Sequence, residues 1–194
     1  MRKALAPDGS RPLLLSASVE PFAAGRNGAT AMRGSDLTEG WRPLFNGSTL
    51  DGWHSVPRLP TSIGPGWPQP DPADPHFERA TLNQATWVVE DGMIIGAQRE
   101  PGGGYGGYLL TDDTFRDFEL ELEARPDWPA DTGILVRTTD IGSQGYQVLL
   151  DHRQSGGIGG IFGNGIGSFH AVGFTIDVAR NPSGRPTGLK MDSL

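Results

Sequence analysis

The segment Phe118–Glu123 constrains the fold of this chain more than any other part of the sequence. Apolar Phe118, Leu120 and Leu122 alternate strictly with three glutamates. Successive side chains of a β-strand point to opposite faces of its sheet, so this alternation predicts a strand with one buried face and one solvated face. The sequence therefore predicts a sheet that covers an apolar core on one side.

Glycine and proline are frequent throughout the chain. There are 29 glycines and 16 prolines among 194 residues, which favours turns between short strands and disfavours long helices. The Asp-Gly pair at 91–92 is typical of a hairpin turn, and the proline-dense segment Pro57–Pro75 predicts a long irregular loop. No amphipathic helix of three turns is predicted. Further strands are predicted at Trp87–Glu90, Met93–Gly96, Tyr108–Leu110, Gly133–Arg137 and Tyr146–Leu150. Together these patterns predict an all-β sandwich.

Charge and composition exclude several classes of function. The formal net charge is −7 at pH 7, and no cluster of Lys and Arg interrupts this acidic balance, so we expect no nucleic-acid partner. No apolar run approaches the roughly 18 residues of a membrane-spanning helix, so no membrane span is predicted. Because the chain lacks cysteine, disulfides, thiolate catalysis and cysteine-ligated zinc are excluded. The oligomeric state stays open.

The N-terminal part differs in character from the rest. We place a folded domain at residues 37–194 and an extension at residues 1–36. Pro7, Asp8, Arg11 and Glu20 lie around the short apolar patch at Leu13–Leu15, so the segment lacks the uninterrupted apolar core of a secretory signal. The extension is interpreted either as a disordered segment or as sequence that precedes a true start at Met32.

Three residues are candidates for acid–base chemistry. Glycoside cleavage uses a pair of carboxyl groups, and Glu123 and Asp151 would supply one if their strands are neighbours. His152, next to Asp151, is a candidate general acid or base. A solvated outer strand face is the simpler explanation of the glutamates, and a surface position is that of the histidine. The predicted catalytic residues are therefore Glu123, Asp151 and His152.

Two further residues are candidates for binding a polar ligand. Arg137 lies between Glu123 and Asp151 in the sequence, and converging carboxylates with a guanidinium suit sugar hydroxyls or, through the carboxylates, a cation. Structural ion pairs would give the same pattern. Trp53 offers a flat apolar ring on which a sugar can stack.

An ordered series of short motifs resembles the 3-keto-disaccharide hydrolase domain. The series extends from Leu44 to Gly163, and its order is more specific than any single motif. In chain order the motifs are Leu44-Phe45-Asn46-Gly47, Leu50-Asp51-Gly52-Trp53, Trp87-Val88-Val89-Glu90-Asp91-Gly92, Asp117-Phe118-Glu119-Leu120, Gly133-Ile134-Leu135-Val136-Arg137, Gly145-Tyr146-Gln147-Val148 with Asp151, and Gly160-Ile161-Phe162-Gly163.

This resemblance implies a concanavalin A-like jelly-roll β-sandwich that acts on 3-keto-glycosides. The implied reaction is base-assisted elimination and hydration, or net hydrolysis, often with a divalent cation. A ketone at C3 acidifies the proton at C2, so a base can remove that proton while the glycosidic oxygen leaves C1. The resemblance also implies a sugar or keto-sugar ligand contacted by Tyr146 and Gln147, and a periplasmic or secreted location.

The sequence departs from the family pattern at three places. Gln147 stands where glutamate is common, and a carboxamide cannot act as a base. Asp131-Thr132 replaces the usual Asn-Ser before Gly133. The late Trp-Asn strand, Asn-Gly hairpin and Arg-Asn-Ile strand are not found, so we expect an incomplete sandwich whose residues 181–194 form a polar tail.

Three functions are compatible with these patterns. The first is an enzyme that acts on keto-glycosides. The second is a non-catalytic, lectin-like carbohydrate-binding module, because one fold serves many functions. The third is an interaction domain without a sugar site.

Overall fold

The computed structural model describes residues 16–21, 41–62, 69–99, 105–127, 130–151 and 157–193. Short antiparallel strands and one helix make up its regular structure. In chain order these are β1 (Ser16–Pro21), β2 (Arg42–Pro43), β3 (Trp53–Pro57), β4 (Thr61–Ser62), β5 (Gln69–Pro70), α1 (Phe77–Leu82), β6 (Thr86–Glu90), β7 (Met93–Ala97), β8 (Gly107–Thr111), β9 (Phe118–Glu123), β10 (Gly133–Val136), β11 (Gly145–Leu149), β12 (Ile161–Asn164), β13 (His170–Ala171), β14 (Phe174–Arg180) and β15 (Pro186–Ser193).

These strands pair in antiparallel sheets. β10, β11, β12 and β13 form a four-stranded sheet in sequence order, and β2, β1 and β9 form a three-stranded sheet with β1 in the centre. The remaining pairs are β3 with β8, β4 with β5, β6 with β7, and β14 with β15. The predicted all-β class is therefore confirmed, and antiparallel sheets of this kind are the components of an all-β sandwich.

Two elements predicted from the sequence form close to their predicted boundaries. The alternating segment forms β9 over Phe118–Glu123, and the predicted hairpin forms from β6 and β7. Its turn residues Asp91 and Gly92 both have positive φ, at 50° and 75°. A two-residue hairpin turn of this hand needs positive φ at both positions, which explains the Asp-Gly pair.

The proline-dense segment is not wholly irregular in its described part. Thr61 pairs with Pro70 and Ser62 with Gln69, so β4 and β5 form a two-residue ladder. Asp71 extends the contact by donating its backbone N–H to the carbonyl of Pro60 at 2.9 Å. Because proline has no N–H to donate, the ladder stays short.

Residues 181–193 were expected as a polar tail, and the structure corrects this. β15 pairs with β14 along almost its whole length, around a turn at Asn181. The Oδ1 atom of Asn181 accepts hydrogen bonds from the backbone N–H of Ser183 at 3.1 Å and of Arg185 at 2.9 Å. An Asx-type turn of this kind substitutes for backbone pairing, and the polar composition concealed the hairpin.

The N-terminal strand β1 lies within the predicted extension. Its backbone pairs with β9, so that Ser16 lies opposite Glu123 and Pro21 opposite Phe118. It also pairs with β2 at Arg42 and Pro43. The division at residues 36 and 37, as a statement about the whole segment, stays a prediction.

Buried apolar side chains in the described residues come from three elements. Ala80 of α1, Ile94 of β7 and Leu110 of β8 have relative exposures of 1%, 1% and 9%. Close packing of β8 against the turn before β11 is visible at Gly142, where a Cβ would overlap the ring of Tyr108. The turn before β11 therefore packs directly on the Tyr108 side chain.

The four-stranded sheet presents two chemically different faces. Residues paired across antiparallel strands share a face, so the registers place Leu135, Gln147, Phe162 and His170 in one row. We call the side that carries this row the Gln147 face. The opposite side, here called the Tyr146 face, carries Val136, Tyr146 and Gly163 in its corresponding row.

Candidate functional site

Trp53 is held by a structural hydrogen bond. Its Nε1 donates to the backbone carbonyl of Leu44 at 2.8 Å, and the ring is half-buried. The bond closes the turn in which Oδ1 of Asn46 accepts the N–H groups of Ser48 and Thr49, each at 2.8 Å. The polar edge of the indole therefore anchors the chain, and Trp53 as a sugar-stacking residue stays a prediction.

Glu123 lies at the end of β9, in a different sheet from β10 to β13. Its side chain is exposed, and its backbone lies opposite Ser16 of β1. Arg137 meets the other end of the same strand, where its guanidinium lies 5.7 Å from the ring centroid of Phe118. Five residues of strand span roughly 16 Å, so Arg137 and Glu123 stand at opposite ends of β9.

Arg137 also has an unusual backbone. Its φ is 58°, in the left-handed region that few residues other than glycine adopt. The chain leaves β10 at this point, and the side chain is exposed and reaches Phe118. A strained position that aims a cation over an aromatic ring ties β10 to β9.

Asp151 is one of the most buried polar residues in the described structure, with a relative exposure of 5%. It follows β11, just beyond the point where Leu150 donates its N–H to the carbonyl of Thr132 at 2.9 Å. The protein engages this carboxyl group, as a buried polar group requires. His152 lies outside the described residues, so its predicted role stays a prediction.

Gln147 occupies the middle of the Gln147 face. A Cβ placed on Gly133 would lie 2.6 Å from both Cγ and Nε2 of Gln147. The carboxamide therefore folds over the space that the glycine leaves. This packing explains a glycine at the start of β10, where sequence reasoning saw only a motif.

Tyr146 points to the opposite side from Gln147, because successive strand residues alternate. It is 45% exposed, and its ring centroid lies 6.2 Å from that of Phe169 with the planes tilted by 56°. Phe169 is 42% exposed and covers Gly163, where a Cβ would overlap the ring. The two predicted sugar contacts, Tyr146 and Gln147, thus lie on opposite faces of the sheet.

The structure gathers only part of the predicted site. Tyr146 and Gln147 lie on β11, with Arg137 and Asp151 at the ends of the β10–β11 hairpin. Glu123 and Trp53 belong to other strand pairs, so the predicted carboxyl pair is not drawn from adjacent strands. Each of these roles stays a prediction.

Sequence reasoning missed two histidines that the structure makes conspicuous. Nδ1 of His54 lies 2.6 Å from Oδ1 of Asp112, and both side chains are about half exposed. His170 stands in the same row as Gln147, two strands away. Neither histidine belongs to a sequence motif with characteristic spacing, so only the strand registers bring them to attention.

A shallow open depression lies near β2 and β8. It has a volume of about 270 Å³ and is lined by Asn46, Asp51 and Thr111, among others. Arg42 closes one side through an ion pair with Asp113 at 2.8 Å and a stacking contact with Phe115 at 5.1 Å. Arg42 and Asp113 are thus paired with each other, and the Asp51 carboxylate accepts a hydrogen bond from the Thr49 hydroxyl at 2.6 Å.

A divalent cation was an implication of the resemblance. Within the described residues, no group of three or more His, Asp and Glu side chains is placed to hold a metal ion. No step of the chemistry below is therefore assigned to a metal. In the same part of the chain, no helix is long and apolar enough to cross a membrane.

Comparison with known proteins identifies the family of the chain. Searches of curated proteins and of solved structures found no match. One family model, described as a 3-keto-alpha-glucoside-1,2-lyase-like domain, matches residues 40–187. The match includes every strand from β2 to β14 and well over half of the chain. This chain belongs to the family of 3-keto-alpha-glucoside-1,2-lyase-like domains, a family named for action on carbohydrates.

Proposed function

We propose that the chain cleaves 3-keto-glycosides, with 3-keto-disaccharides as the substrate class. The family match over residues 40–187 is the observation that carries this proposal. The reaction is base-assisted elimination followed by hydration, with net hydrolysis as the overall result. Elimination needs a base for the proton at C2, a group that stabilises the developing enolate, and a proton for the departing oxygen.

The Gln147 face suits such a substrate better than the Tyr146 face. It combines a carboxamide at Gln147 with glycine at position 133 and a histidine at position 170. A carboxamide donates and accepts hydrogen bonds, so Gln147 is suited to hold a ketone oxygen or a sugar hydroxyl. Because Gly133 has no side chain, the Gln147 carboxamide lies over it on this face.

A lectin-like module is the second candidate, and a specific observation favours it. Tyr146 and Phe169 form an exposed aromatic pair on the Tyr146 face, and sugars bind aromatic rings through their apolar faces. In addition, Gln147 cannot remove a proton. A binding module would use the Tyr146 face and would not alter its ligand.

The two candidates differ in what happens to the ligand. The test incubates the protein with 3-keto-trehalose and, as a matched control, with trehalose, which lacks the ketone. The proposal expects glucose release from the keto-sugar alone. A rise in melting temperature without release, for either sugar, supports the binding module, since a ligand of the folded state stabilises it. Neither release nor a shift contradicts both candidates.

A further inference from the structure

The Gln147 face carries one acid–base side chain among its strand residues. Its described positions on β10 to β13 include Leu135, Gln147, Phe162 and His170, and of these only histidine exchanges a proton readily. Gln147 and His170 are separated by one strand, which places their Cα atoms about 10 Å apart. Phe162 occupies the position between them in the same row, so a sugar that reaches both polar side chains would lie across the Phe162 ring.

The imidazole of His170 lies against two glycines, Gly157 and Gly160. A Cβ on Gly157 would overlap Cε1 and Nε2 of the imidazole, and a Cβ on Gly160 would lie 2.9 Å from Nε2. The backbone of this turn is fixed by hydrogen bonds from Gly159 to Leu149 at 2.7 Å and from Leu149 to Gly160 at 2.9 Å. Because Gly157 and Gly160 have no side chains, they leave the space that the His170 imidazole occupies.

Other candidate bases are less well placed for this face. Glu123 belongs to the sheet of β1, β2 and β9. Asp151 is 5% exposed and engaged by the protein, so it is not available to a ligand on the surface. His54 lies on β3 and pairs with Asp112. By contrast, the side chain of His170 is exposed.

We propose that His170 is the catalytic base of the reaction, a role that rests on the proposed function. One imidazole nitrogen takes the proton from C2 of the 3-keto sugar. The C2–H bond breaks and an N–H bond forms, while the C–H electron pair becomes the C1=C2 bond and the C1–O bond breaks. The departing oxygen takes a proton from water, and the hydroxide so formed adds to C1 of the enone. The imidazolium, whose N–H exchanges with solvent, protonates C2, which completes net hydrolysis and regenerates the neutral imidazole. Gln147, across Phe162, holds the ketone oxygen.

The first test replaces His170 with glutamine and measures kcat and KM for 3-keto-trehalose. General acid–base groups contribute typically 10²–10⁴-fold, so H170Q is expected to lower kcat by at least about 100-fold with little change in KM. A His170→Gly variant is expected to regain activity when free imidazole is added. A purely structural histidine would show neither the selective loss of kcat nor the rescue.

A double-mutant cycle makes the test independent of folding. Gly157→Ala displaces the imidazole without placing a side chain at a positive φ. It is therefore expected to lower kcat when His170 is present and to have no further effect in the H170Q background. Equal losses in both backgrounds would show that the glycine acts elsewhere and would overturn the proposal.

The outcome can be separated from that of the proposed function. An active wild-type protein with a fully active H170Q variant overturns the role of His170 and leaves the function standing. A wild-type protein that cleaves no keto-sugar overturns both. In that case, a shift of the His170 ring signals in NMR spectra on addition of the keto-sugar would still locate a binding site on the Gln147 face.

Discussion

The side chain of Gln147 lies over Gly133, in the space that a Cβ at position 133 would occupy. This relationship joins β10 to β11 at the centre of the Gln147 face. Gly133 and Gln147 belong to separate sequence motifs, but they pack directly against each other. Changes at either residue therefore alter the same surface.

Gly133→Ala is expected to destabilise the fold. The new methyl group would lie 2.5 Å from the backbone carbonyl oxygen of Val148 and 2.6 Å from the Gln147 side chain. Overpacking of this kind costs about 1–3 kcal/mol of unfolding free energy, measurable by urea denaturation. Gly106→Ala is the matched control, since its Cβ has no described atom within 4 Å and should change stability by less than about 0.5 kcal/mol. Equal effects would contradict the packing account.

Trp53→Phe and Trp87→Phe form a second matched pair. Both indoles are half-buried, but Nε1 of Trp53 donates to Leu44 at 2.8 Å whereas Nε1 of Trp87 finds no acceptor among the described residues. Losing a hydrogen bond and leaving its acceptor unpaired costs about 1–3 kcal/mol. W53F should therefore lower the unfolding free energy more than W87F, and the reverse order would refute the anchoring role of Trp53.

The two predicted carboxylates should respond differently to amide substitution. Glu123 is exposed, so E123Q should change the unfolding free energy by less than about 0.5 kcal/mol. Asp151 is buried and engaged, so D151N should cost about 1–3 kcal/mol. Chemical denaturation measures both values. Loss of turnover in a stable E123Q protein would support the predicted catalytic role of Glu123. Full turnover in that variant would contradict this role.

The side chain of Asn181 is expected to stabilise the hairpin of β14 and β15. Asn181→Ala removes the acceptor for Ser183 and Arg185, so hydrogen exchange should quicken across β14 and β15 while the protection of β11 and β12 stays the same. Pro182→Ala, next to it, leaves those acceptor contacts in place and serves as the control. Unchanged exchange in N181A would show that strand pairing alone maintains the hairpin.

Local patterns predicted local structure well. The alternation at 118–123 and the Asp-Gly turn at 91–92 each encode their geometry within a few residues, so β9 and the β6–β7 hairpin appear as expected. The hairpin after Asn181 was missed because its side-chain turn has a polar composition that resembles a tail.

The candidate site was harder to predict, because it depends on register. Sequence shows that Tyr146 and Gln147 are neighbours, and strand alternation then sends them to opposite faces. It does not show that His170 shares a row with Gln147, since this depends on two strand pairings and on a turn between them. Glu123 lies on β9 and Asp151 follows β11, two strands of separate sheets, and their predicted joint role stays a prediction.

Exchange at C2 of the substrate tests the central claim most directly. The protein is mixed with 3-keto-trehalose in D₂O, and NMR follows both the C2 proton and cleavage of the glycosidic bond, with a protein-free sample as control. Elimination predicts that every released 3-keto-glucose carries deuterium at C2, at a rate well above that of the control. Cleavage that retains the C2 proton would contradict base-assisted elimination, and the absence of cleavage would contradict the enzymatic account as a whole.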